Sequence, residues 1–232
     1  NFEKKQFKTI NAAQKECKVN YLMNLKTKEA VIEVAEVIGI KQLTEDQKDP
    51  YKASTVGLGK LISHLLDQGI EDFIIGLGGS ATNDCGIGML SELGIRFVGK
   101  NGEICQHGIS ELKKIEKIDY SCKNKKLEKA KFTIISDVNS PLYGQKGATY
   151  VYSKQKGLKE EDFIQVDEVV ENFAKLVSKE LGKDYSSYEG SGAAGGLGFA
   201  FLSFLTSSIQ SGSSFMINYL DIEQKIQEVD YL

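Results

Sequence analysis

The sequence predicts an α/β fold, a mixed or largely parallel sheet flanked by helices. Short apolar runs of strand length alternate with stretches of helical period, as strand–helix–strand units require. Glycine is moderately abundant, at 23 residues, but gathered into clusters, and the sharpest cluster directly follows the longest strand-like run. Such a junction is where an α/β sheet presents its ligand sites.

The elements follow in order. Residues 19 to 40 hold extended, apolar-leaning stretches, with Val31, Ile32, Val34 and Ala35 the most strand-like. Asp49 and Pro50 mark a loop. Leu58, Leu61, Ile62, Leu65 and Leu66 fall at helical spacing, and Gly69 supplies a stop. The unbroken run Phe73-Ile74-Ile75-Gly76-Leu77 reads as a buried strand. After the turn Gly78 to Asp84, a helix through Met89, Leu90 and Leu93 ends at Gly94. Ile95 and Phe97 alternate with Arg96 as a short strand, and Asn101-Gly102 makes a hairpin turn. Phe132 to Ile135 is a second buried strand, and Tyr150-Val151-Tyr152 reads as another short one. From Asp162 to Leu181 one apolar face, including Val166, Val170, Phe173 and Val177, predicts a helix that Gly182 ends. The segment Gly190 to Leu205 is first glycine-rich and then apolar on nearly all sides, a buried helix entered through a tight loop.

Composition narrows the function classes. The chain has 232 residues, 41% hydrophobic and 26% charged, which suits a folded globular protein and is read as one α/β domain over residues 1–232. No apolar run is long enough to span a bilayer. The formal net charge is −3, and the one lysine cluster, Lys123 to Lys131, is interrupted by Glu128. It reads as a solvated face, so neither nucleic acid nor membrane is an expected partner. Cys17, Cys85, Cys105 and Cys122 lack zinc-ligand spacing. Reduced thiols in a cytoplasmic protein are the expectation. No signal peptide is visible, and the start at Asn1 suggests an excised piece.

Four constellations could carry chemistry. In Gly78-Gly79-Ser80-Ala81-Thr82-Asn83-Asp84, glycines admit a ligand close to the backbone, hydroxyl and amide groups add donors, and the next helix start favours an anion. The same side chains could simply cap that helix. Asp137 and Asn139, just past a strand, suit a magnesium ion or a substrate hydroxyl, or an Asx-turn before Pro141. Gly190 to Gly198 permits either close helix packing or a ligand against backbone. Lys146 and Lys156 sit in glycine-flanked loops, where a lysine can reach a phosphate but is more often solvated.

Together these motifs resemble the bacterial class I glycerate kinase family, which is unrelated to P-loop kinases. The carrying residues are Ser54 to Ile62; Gly76 to Asp84 with Gly86, Gly88 and Met89; Asp137 to Leu142 with Gly144, Gly147 and Ala148; Gln155-Lys156-Gly157; and Gly192 to Gly198. Five blocks in order cover most of residues 29 to 217. The family's Asp-Ser-Phe-Lys-Gly and Gly-Glu-Gly-x-x-Asp-x-Gln-Thr segments have no counterpart here. Val56 stands where tyrosine is common, and Ser153-Lys154 where Gly-Pro is usual. The resemblance implies the inserted domain of a two-domain glycerate kinase, with its flanking segments absent. It further implies phosphoryl transfer from ATP, with Mg2+, to a hydroxyl of D-glycerate. On that reading Gly78, Gly79, Ser80, Thr82 and Asn83 cradle the anion, Asn139 adds a contact, and Gly195 and Gly196 line the same cleft. Asp84 and Asp137 are the catalytic carboxylates, Asp137 also a metal ligand. The alternatives are a non-catalytic piece that binds glycerate or nucleotide, and an unrelated sugar-phosphate enzyme using the same anion site.

Overall fold

The computed structural model describes residues 2–227. Strands β1 (Glu3–Ile10), β2 (Glu16–Asn24) and β3 (Glu29–Glu33) form an antiparallel meander. β3 runs straight into helix α1 (Val34–Ile38), and α2 (Val56–Asp67) returns the chain to β4 (Asp72–Gly76), parallel to β3. After α3 (Ile87–Glu92), a small antiparallel sheet forms from β5 (Arg96–Gly99), β6 (Ile104–Cys105) and β7 (Ile115–Asp119), with α4 (Ile109–Leu112) between the last two. β8 (Lys131–Ile135) rejoins the main sheet parallel to β4. Helices α5 (Ala148–Tyr152), α6 (Phe163–Leu181) and α7 (Ala193–Phe204) lead to β9 (Ser207–Gln210), parallel to β8. Helices α8 (Gly212–Tyr219) and α9 (Ile222–Gln227) follow. The main sheet thus reads β1-β2-β3-β4-β8-β9, the mixed, largely parallel sheet that the sequence predicts.

The apolar patterns account for these positions. Phe73, Ile74 and Ile75 of β4 are all buried, because a central parallel strand is covered on both faces. α6 buries one stripe, Phe163, Val166, Val170, Phe173, Ala174 and Val177, flanked by the partly buried Val169 and Leu176, and turns most of its charged residues outward. α7 is apolar all round because it lies between layers. Its Phe201 meets Phe132 of the main sheet, whose ring stacks on Phe73 at 4.8 Å. Its Phe204 meets Phe97 of the small sheet, and its Phe199 meets Phe173 of α6. Each such aromatic pair adds roughly 0.5–1.5 kcal/mol beyond burial.

Two local expectations change. Tyr150-Val151-Tyr152 closes helix α5 rather than forming a strand: Val151 N donates to Gly147 O at 3.1 Å, and the Val151 side chain is exposed. Val34 and Ala35 open α1 instead of extending β3. The hairpin at Asn101-Gly102 is present, with Gly102 at φ +83°.

Candidate functional site

The carboxyl ends of β3, β4, β8 and β9 share one rim, and the glycine-rich turn leaves β4 there. Leu77 N donates to Ile135 O (3.0 Å), carrying the β4–β8 pairing one step further. Gly78 and Gly79 are exposed, while Ser80 through Asp84 run buried. The turn is stitched to the end of α1 on both sides, by Ile40 N to Gly79 O and Ala81 N to Ile38 O, each 2.8 Å. A cleft of about 190 Å3 opens over it, lined by Gly78, Gly79, Ser80, Tyr152, Lys156 and Ala194.

Lys156 is the residue whose importance the sequence understates. Far from being solvated, it is 3% exposed. Its ammonium donates to Thr82 O (2.7 Å), Asn83 Oδ1 (3.1 Å) and Ser80 Oγ (3.3 Å), pinning the turn from below. Burial pushes its pKa down to about 7, with the Asp84 charge pulling the other way. In the same turn Thr82 Oγ1 and Asn83 Nδ2 are buried with no hydrogen-bond partner among the described residues. An orphaned buried donor costs roughly 1–3 kcal/mol, so it calls for an explanation. A ligand oxygen reaching into the turn would supply one.

Asp84 does not face this cleft's solvent. It is fully buried and accepts from Thr55 N and Thr55 Oγ1 (both 2.9 Å), Gly86 N (3.1 Å) and Gly88 N (3.4 Å). Burial raises its pKa above the usual carboxylate range, and those hydrogen bonds oppose the rise. The start of α3 therefore already holds an anion, its own Asp84. The free helix terminus expected of the turn is not available to a ligand, because Asp84 and Thr55 Oγ1, which accepts from Met89 N (2.9 Å), use its donors.

The other residues separate. Asp137 is exposed, and its Oδ1 accepts from Gly212 N (2.9 Å) in the first turn of α8. Asn139 points to a neighbouring hollow of about 580 Å3 at the ends of β8 and β9. Gly195 and Gly196 are buried behind the turn, and Ala194 takes the lining position. Gly195 O accepts from Cys85 N (3.1 Å), and a Cβ on Gly195 would overlap the Thr82 carbonyl oxygen. Its φ of +69° is the left-handed region as well. The packing alternative thus explains these two glycines. The structure brings Ser80, Thr82 and Asn83 together on Lys156. Nothing in a sequence shows burial of a single lysine; the only signal was its place in the Gln155-Lys156-Gly157 block.

The model of the glycerate kinase family matches residues 1–232. The chain belongs to the glycerate kinase family. It is 38% identical over 212 residues to a glycerate kinase of Bacillus cereus, covering 91% of this chain and 56% of that one. It is 34% identical over 201 residues to the glycerate 2-kinase of Escherichia coli, covering 87% and 53%. A crystal structure from Salmonella typhimurium LT2, described as a glycerate kinase 2, superposes with a TM-score of 0.91 at 33% identity, covering 96% of this chain and 60% of that one. The chain thus spans about half the length of the curated glycerate kinases it matches. All four cysteines are free thiols, and among the described residues no helix is long and apolar enough to cross a membrane.

Proposed function

We propose that this chain carries the phosphate-gripping part of a glycerate kinase active site, which transfers the γ-phosphoryl group of ATP to a hydroxyl of D-glycerate. One observation carries the reading: a buried ammonium, Lys156, bonded beneath an exposed glycine pair at the carboxyl rim of a parallel sheet. The hydroxyl oxygen attacks the γ-phosphorus, the bond to ADP breaks, and the hydroxyl proton leaves. Charge spreads over the phosphoryl oxygens as this happens, and donors fixed beforehand stabilise it most.

Gly78 and Gly79 line the cleft without side chains, so a phosphate can approach their backbone, and Asn83 Nδ2 is a buried donor of the same turn with no partner among the described residues. Lys156 holds Ser80, Thr82 and Asn83 in place and brings positive charge underneath. Asp84 is a positioning residue in this scheme, since its four hydrogen bonds tie the turn to α2 and α3. Asp137 keeps Oδ2 for a substrate hydroxyl or for the magnesium ion that arrives with the nucleotide. Among the described residues no group of three or more acidic, histidine or cysteine side chains forms a metal site. That fits an ion held largely by phosphate oxygens and one carboxylate. The family membership does not favour the sugar-phosphate alternative.

The test is ADP release with D-glycerate in a full-length relative. Replacing the lysine that aligns with Lys156 by alanine should lower turnover about 100-fold or more, with cooperative unfolding retained. Unchanged turnover would sink the assignment. For the chain itself, Mg-ATP at a hundredfold excess over its Kd should raise stability by about 2.7 kcal/mol.

A further inference from the structure

The 580 Å3 hollow beside the Lys156 cleft is not used by the scheme above. It lies beyond the ends of β8 and β9 and shares Val138 with the cleft, so the two are neighbours along one rim. Its size falls within the usual range of small-molecule sites, roughly 300–1,000 Å3. Its chemistry differs from the cleft's. Among the described residues no lysine or arginine lines it; Asp184 and Glu189 do, with Asn139, Gln210 and the exposed ring of Tyr188. The wall is braced from behind. Tyr188 meets the edge of Tyr185 at 6.4 Å, Ser186 N donates to Asp184 Oδ1 (2.8 Å), and Leu142 N donates to Ser186 O (2.8 Å).

We propose that this hollow receives the nucleoside end of the nucleotide, with its phosphates passing Val138 into the Lys156 cleft; the proposal rests on the kinase reading above. Charge sorts the two ends. Two carboxylates repel phosphate and the glycerate carboxylate alike, whereas ribose hydroxyls can donate to them. Tyr188, half exposed and held edge-on by Tyr185, offers a flat face on which a base stacks. Asn139 and Gln210 supply amide groups for the base edge. The cleft contributes the opposite character, a buried cation beneath an exposed glycine pair.

The experiment is calorimetric titration of the chain with ATP, tripolyphosphate and adenosine in turn, in wild type, Tyr188→Ala, Tyr188→Phe and Asp184→Asn. The proposal expects ATP to bind more tightly than tripolyphosphate. Tyr188→Ala should weaken ATP and adenosine about tenfold or more, as loss of one base stack does. It should leave tripolyphosphate unchanged, and Tyr188→Phe should restore binding. Asp184→Asn should weaken adenosine and leave tripolyphosphate unchanged. Thermal unfolding confirms that each variant folds; Tyr188 is 50% exposed, so its truncation opens no core cavity. Equal binding of ATP and tripolyphosphate, insensitivity of ATP to Tyr188→Ala, absence of nucleotide binding, or loss of D-glycerate binding in Tyr188→Ala would each overturn it. Failure of the kinase reading looks different: nucleotide binds and depends on Tyr188, yet a full-length relative releases no ADP with D-glycerate.

Discussion

Replacing Lys156 by methionine should change how stability depends on pH, in a direction the site's burial dictates. The lysine pKa falls from its usual 10.5 to about 7, so holding the charged form inside costs about 5 kcal/mol relative to the neutral one. Below pH 7 folded and unfolded chains both carry the proton, and the cost stands in full. Between 7 and 10.5 the unfolded chain keeps a proton that the folded chain has released. Raising the pH there favours the folded state, by about 1.4 kcal/mol per pH unit. From pH 7 to pH 9 the wild type should therefore gain about 2.5 kcal/mol from this one group.

Lys156→Met removes that climb. It also strips donors from Thr82 O, Asn83 Oδ1 and Ser80 Oγ, at roughly 1–3 kcal/mol for each buried acceptor left bare. Relative to the variant, the wild type should gain stability steadily from pH 7 toward pH 9, whichever of the two is the more stable at pH 6. The neighbouring titratable groups, Asp84 and Cys85, are present in both, and burial holds the Cys85 thiol well above its usual pKa, so it stays neutral through the window. Urea unfolding at four pH values measures the difference. Parallel profiles for the two proteins would refute the buried, pKa-shifted lysine.

Gly195→Ala should cost at least about 3 kcal/mol, because the new Cβ meets the Thr82 carbonyl in a left-handed backbone. Gly102→Ala shares the positive φ but has open space around it, and its loss should stay near about 1 kcal/mol. Urea midpoints that rank the two the other way would contradict the packed-glycine account. Asp84→Asn turns an amide toward backbone donors at Thr55, Gly86 or Gly88, so stability should fall by about 2 kcal/mol or more. In a full-length relative, the aligned change should lower kcat while leaving nucleotide affinity nearly intact; loss of binding alone would argue for direct ligand contact.

The features most legible in the sequence were those that repeat along it. The unbroken run of β4 and the apolar stripe of α6 announce themselves because burial recurs at a fixed period. β1 went unread because it is a sheet edge: residues Glu3 to Gln6 are all exposed, so no apolar alternation marks them. Tyr150 to Tyr152 misled because aromatic and β-branched residues favour strands, yet Gly147 starts a short helix whose buried residues are Ala148 and Thr149. For the site, the turn and its neighbours on Lys156 were visible as residue types. Roles were not, because exposure and direction decide them. Asp84 and Asp137 look alike as carboxylates after strands, but one is sealed beneath α3 and the other caps α8.

The junction between β3 and α1 has no linker at all. α1 spends its last carbonyl on Ala81, and Ile40 N, just beyond, reaches Gly79. A single added residue would turn the helix by about 100° and swing both groups away from the turn. A register slip in β3 would instead invert which of its side chains face the core. In this stretch the count of residues, more than their identity, sets the shape of the site. Of the outward side chains of α1, Ala35 lies beside Gly79 of the turn, whereas Glu36 accepts from Asn20 Nδ2 (3.0 Å) on β2. The connection from β8 to α5, residues 136 to 147, has no such direct join of strand to helix, so its length can change without turning a helix against the sheet.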